Sequence, residues 1–188
     1  MANKDMPNGA VPCDQHGGYH IGSMNLYYIN SSYATALAVG DFVKLSGTAD
    51  GDGVPEIERA AATDTDIVGV IVGFKPRSGN LDNTYSPAST EDYAFVADHP
   101  DQLFSIQEDS VGGNIAVTAV GNNADIVVAA VDTTTGLSNM ELDSSDVKTA
   151  TAQLRILRLD PAVDNEIGDN ARWIVKINEH LYARTAGV

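Results

Sequence analysis

Apolar residues in this chain come in stretches of four to eight, alternating with polar residues or nearly continuous, and turn formers separate the stretches. That texture predicts strands. Met24–Ile29 reads as a first strand, with Tyr27 and Tyr28 on opposite faces. Phe42–Leu45 follows the turn Val39-Gly40-Asp41, and Asp50-Gly51-Asp52-Gly53 reads as a hairpin turn because its glycines accept positive φ. Ile57–Ala61 and Val68–Phe74 come next, the latter apolar on both faces and therefore expected in the centre of a sheet. Tyr93–Ala97 and Leu103–Gln107 flank the turn at residues 98–101.

Ile115–Val120 and Ile126–Val131 are two further apolar runs joined by Gly121-Asn122-Asn123; they read either as a hairpin or as a strand followed by a short helix. Over 141–159, Val147, Thr151 and Leu154 fit helical spacing, but the Thr-rich 149–151 segment and the Leu/Ile/Arg alternation favour a strand from about Ala152 to Leu159; another strand is expected over Arg172–His180 beyond a polar loop. Trp173 alternates with Val175 and Ile177, which points to the core. Regular alternation would send Arg155 and Arg158 to opposite faces. The reading is all-β: one domain over residues 23–188, without repeats or an internal linker.

Residues 1–22 break the pattern. Pro7, Gly9, Pro12, Gly17, Gly18 and Gly22 leave no fixed apolar period, so this segment is expected to be an extended arm outside the core, held by a neighbouring subunit. Residues 76–91 form a second polar stretch, long enough to be expected to contact a partner.

Charge divides the chain unevenly. Residues 148–188 sum to +1, whereas the whole chain is −15, so the remainder carries −16. An acidic face in solvent and a less charged face against a partner would account for this. Nucleic acid is disfavoured as a direct partner because the eleven Lys and Arg are scattered. No apolar run reaches the roughly 18 residues of a membrane span, and the start lacks the apolar stretch of a secretory signal. A cytoplasm-like compartment, or a particle assembled in one, is the expected setting.

Few residues suggest chemistry. Cys13, His16 and His20 have the spacing of half a zinc site, but tetrahedral zinc needs four ligands and the chain has no second cysteine. Asp50 and Asp52 open like a calcium loop, yet Val54, Pro55 and Ala61 stand where ligands and the obligatory glycine belong. The pairs Asp64/Asp66 and Glu56/Glu58 are weak signals in so acidic a chain. Nucleophile-elbow, P-loop and dinucleotide motifs are absent. No enzyme activity, metal or cofactor is expected.

Several segments together carry a resemblance: Phe104–Asp109, the turn Gly121–Asp125, Thr135–Ser138 with Glu141–Ser145, and Leu154–Leu159 followed by Asp164-Asn165, Trp173 and Ile177–His180. They resemble the decoration, or cement, proteins of tailed-phage capsids. Val39-Gly40-Asp41 with Ile67–Ile71 is similar to the Gly-Asp … Ile-Gly-Val pattern of lambda-type decoration domains. The resemblance spans about residues 38–182. It implies a compact β-barrel or sandwich, β-tulip-like, on the outer surface of a virion assembled in the host cytoplasm. It further implies a homotrimer, or a dimer, that clamps adjacent major capsid protein subunits without catalysis. The expected contact residues are Tyr19, His20, Tyr27, Tyr28, Tyr85, Arg155 and Arg158. A head fibre or a host-surface binding module is the alternative.

Overall fold

A computed structural model describes residues 3–15, 18–19, 22–81, 83–185 and 187–188. Its strands are β1 (Val11–Gln15), β2 (Gly18–Tyr19), β3 (Asn25–Ile29), β4 (Leu37–Ala38), β5 (Phe42–Ala49), β6 (Pro55–Arg59), β7 (Ile67–Phe74) and β8 (Tyr85–Ser86). They continue with β9 (Asp92–Ala97), β10 (Gln102–Gln107), β11 (Asn123–Ala124), β12 (Ile126–Val127), β13 (Glu141–Leu142), β14 (Leu154–Leu159) and β15 (Arg172–Ile177). The only helical pieces among the described residues are 3₁₀ turns at Val117–Ala119 and Leu181–Ala183, so the chain is all-β, as its periodicity predicts.

Two bodies meet along the barrel strands β5, β7 and β9, each of which contributes to both cores. Strands β3, β6, β5, β7 and β9 close into a barrel, filled by Tyr27, Ile29, Val43, Ile57, Val68, Ile71 and Val96. A six-stranded sheet in the order β11-β14-β15-β10-β1-β2 packs beside it over a second core containing Phe104, Ile106, Leu154, Ile156, Trp173 and Val175. Strand β7 serves both: Val68 and Ile71 belong to the barrel core, Ile67 and Val70 to the other. Hence its apolar residues face both ways. Phe42 of β5 meets Phe104 of β10 edge-on, with centroids 6.0 Å apart, which joins the bodies through an aromatic contact of about 0.5–1.5 kcal/mol beyond its burial.

The N-terminal segment differs from the expected arm outside the core. Val11–Gln15 pairs antiparallel with β10 inside the chain's own sheet, and Ala10 is buried in the core beneath it. The cause lies just upstream. Gly9 and Gly40 both have positive φ, and a Cβ on Gly9 would lie 2.4 Å from the Gly40 carbonyl oxygen. Two backbones approach where side chains cannot fit, and Ala10 N–H donates to the Gly40 carbonyl at 3.0 Å. Glycines that look like arm composition in the sequence include this docking point.

Other departures are local. Residues 115–120 hold the first 3₁₀ turn instead of a strand, and β12 pairs with β13 instead of closing a hairpin. Residues 76–91 are laced into the body: β8 pairs with β4, and Asn83 bonds both Arg77 and the buried Asp92. Within the Asp50–Gly53 turn, Asp50 Oδ1 accepts from the Asp52 and Val54 amides and Oδ2 from the Tyr93 hydroxyl, a turn-building use of both oxygens.

Candidate functional site

The outer face of the six-stranded sheet gathers four of the six basic residues of segment 148–188. The burial pattern of β14 alternates until a register break between Ile156 and Arg158 inserts one extra residue. Arg155 pairs with Lys176 across the ladder and Arg158 with Ile174, which places both arginines on the face opposite Trp173, Val175 and Ile177. This corrects the alternation argument: the bulge, and not the strand period, decides where Arg158 points. Arg172, two positions before Ile174 on β15, shares that face.

This row is neutralised from within the chain. Arg158 meets Asp14 of β1 at 3.0 Å, Lys176 meets Asp101 at 2.6 Å and Arg172 meets Asp164 at 2.6 Å. Arg155 donates from Nε to the Asn123 side-chain oxygen at 3.2 Å. Leu103 and Ile174 sit nearly buried among these long side chains, whose methylene stems suit apolar cover. Ser105 donates to Asp160 on the same face. The result is a broad, nearly neutral, mixed-charge surface on an otherwise strongly acidic molecule.

The other expected contact residues fall elsewhere. Tyr27 is 3% exposed, inside the barrel; its hydroxyl donates to Asp98 at 2.6 Å and lies 2.9 Å from the Tyr182 hydroxyl. Burial and the Asp98 carboxylate push its ionisation far up. Tyr28, also buried, stacks at a tilt on Tyr93 and donates to Glu91. Tyr85 packs on the barrel core. Tyr27 and Tyr28 hold the fold and present little surface, so a contact role for these two is corrected on grounds of burial, whereas Tyr85 is only partly buried. Tyr19 pairs through its backbone with Asp14, and His20 lies outside the described residues.

His16 lies outside the described residues as well, so the Cys13/His16/His20 spacing acquires no geometry. Cys13 is half-buried on β1, and burial raises its thiol to about 11, far from a reactive thiolate. Among the described residues no group of three or more His, Cys, Asp or Glu side chains is placed to hold a metal ion. No helix among them is long and apolar enough to cross a membrane.

Sequence reasoning missed a second constellation. Gln107, 3% exposed, accepts from the Met6 amide through Oε1 and donates from Nε2 to both Asp5 and Glu141. These positions are far apart in the chain and follow no motif, so only the fold brings them together. No family model matches this chain, nor does any curated protein or solved structure.

Proposed function

We propose that this chain is a structural protein of a virus particle, a capsid decoration protein that binds the outer surface of a phage head and bridges major capsid protein subunits as an oligomer, a trimer in the first instance. The resemblance in segments 104–109, 121–125, 135–145 and 154–180 supports the family. The observation that carries the contact is the near-neutral face bearing Arg155, Arg158, Arg172 and Lys176 on a molecule of charge −15. Such a face can approach another protein without the repulsion that the acidic remainder would meet.

Shell reinforcement needs contact area and no reactive centre, and an acidic exterior would keep a crowded particle surface soluble. The test is co-sedimentation of the protein with heads before and after expansion, alongside Arg155→Glu/Arg158→Glu. Retention on expanded heads, lost in the double variant, is expected. Failure of the wild-type protein to bind either form would overturn the reading; specific binding to host-surface glycans in its place would point to a host-surface module.

A further inference from the structure

Residues 3–8 run over the body before the chain enters β1, and two clasps fasten them. Asn3 donates to the carbonyls of Glu166 at 2.8 Å and Asp169 at 3.0 Å, and its own oxygen accepts from the Glu166 amide at 3.0 Å. The second clasp is Gln107. Its side-chain oxygen takes the Met6 N–H at 3.1 Å, and its NH₂ group serves Asp5 at 3.1 Å and Glu141 at 3.0 Å. One primary amide has two N–H bonds, and each is given to a different carboxylate.

We propose that residues 3–8 are a strap that opens as pH rises, because closure holds the carboxyl groups of Asp5 and Glu141 together on the one buried amide of Gln107. A third carboxylate, Asp109, faces Glu141 from the segment after β10, whereas Val127 opposite it on β12 carries no charge. Lys4, Arg172, Asp132 and Asp164 line the adjoining basin of about 440 Å³. With Glu141 protonated, the amide supports a single anion on the strap. With Glu141 ionised, Asp5 and Glu141 repel, and Asp5, exposed on a segment secured by few bonds, is the group free to leave.

Titration agrees with that geometry. Burial first, and then Asp5 and Asp109, push Glu141 up to about 7, while the Gln107 bond opposes them. Opening removes Asp5 and hydrates Glu141, so the open form favours ionisation. By linkage, ionisation favours the open form. Between the ordinary value of 4.5 and about 7, each pH unit then raises the open-to-closed ratio by up to about tenfold. Opening uncovers the basin between the strap and residues 132–139, leaving β1 in its sheet.

The test is NMR of the ¹⁵N-labelled full chain from pH 5.5 to 8.5, following the Met6 backbone amide and the Asn3 side-chain amide. Both signals should lose their hydrogen-bonded shifts and gain fast mobility with a midpoint below 7, because the linked rise ends at the closed-form value. Glu141→Gln should keep the strap closed throughout, and Asp5→Asn should reduce the amplitude and move the transition to lower pH. Unchanged Met6 and Asn3 signals across the range, or the wild-type midpoint retained in Glu141→Gln, would overturn the proposal. Should Glu141→Gln fail to fold, Asp5→Asn, altered at an exposed side chain, decides alone: an unchanged transition rejects the strap.

Discussion

Trp173 donates its indole N–H to Glu108 at 2.9 Å, and both side chains are fully buried. The same Glu108 oxygen accepts from the Ile115 amide at 2.9 Å, and Ser110 bonds the other at 3.4 Å. Burial raises the Glu108 carboxyl while these donors pull it down. The group ties β10 and β15 to the loop over residues 110–116.

Replacing it should therefore be costly. Glu108→Leu removes both acceptor oxygens and leaves the Trp173 and Ile115 N–H groups unpaired in the core, so a loss of about 1–3 kcal/mol is expected. Trp173→Phe, which removes the donor and part of the volume, should cost about as much or more. Urea denaturation with an unchanged m-value would measure both, and a wild-type midpoint for Glu108→Leu would contradict the bonding described.

The backbone crossing at Gly9 and Gly40 should tolerate no side chain. An alanine at Gly9 would need a left-handed conformation, φ +69°, and would put its Cβ 2.6 Å from that of Ser138. Gly9→Ala should lower stability by about 2 kcal/mol or more and loosen β1, read as lost amide protection at Ala10. Alanine at Gly18, where nothing lies within 4 Å of the new Cβ, is the control and should be nearly neutral.

Two buried groups should impose opposite pH dependences. His180 is 2% exposed, accepts the Tyr182 N–H on Nδ1 and is held down to about 4, chiefly by burial. Its folded value lies below the unfolded 6.5, so stability is lost as pH falls from 6.5 toward 4. Asp41 is wholly buried, and burial lifts it to about 6 from 3.8 despite the Ala38 amide bond, the neighbouring Ser138 hydroxyl and the Arg59 charge. Its penalty grows as pH rises from 3.8 to 6 and is absent below. Relative to wild type, His180→Asn should gain stability toward pH 4, and Asp41→Asn should gain it toward pH 6. Each gain should approach about 1 kcal/mol per pH unit within its window. Midpoint differences between pH 4 and 7 should slope in opposite senses; parallel slopes would contradict these assignments.

The outer ion pairs should matter little to stability. Arg158 and Asp14 are a partly exposed pair, and Arg158→Ala should cost less than about 1 kcal/mol, shrinking further in salt. Any larger change in capsid binding by such variants could then be read as a contact effect, with circular dichroism and the melting midpoint as controls.

How much of this the chain declares depends on how local the cause is. The alternation around Trp173, the turn at Asp50–Gly53 and the doubly apolar β7 are encoded by near neighbours, and they are legible. The inclusion of residues 11–15 in the sheet is not, because its cause is a meeting of Gly9 with Gly40 that composition alone assigns to a loose arm. The face of Arg158 is hidden for a related reason: a bulge shifts every later side chain by one step and leaves no residue type that announces it. Tyr27 and Tyr28 look like contact aromatics in a one-dimensional reading, and the closed barrel buries both. The Gln107 clasp joins positions 5, 107 and 141, beyond the reach of any spacing rule.

The six-stranded sheet is built from both ends of the chain, with β10 lying between β1 and β15. During synthesis the barrel strands, all within residues 25–97, emerge as a contiguous set and can close first. Strand β1 must wait for a partner whose Gln102 stands 88 residues later, and that partner's other edge stays open until residues 172–177 arrive. Nascent molecules can therefore hold all five barrel strands while the barrel core still lacks Leu181 and the sheet edges are unpaired. Crowding of newly made copies, rather than the stability of the finished fold, would then set the yield.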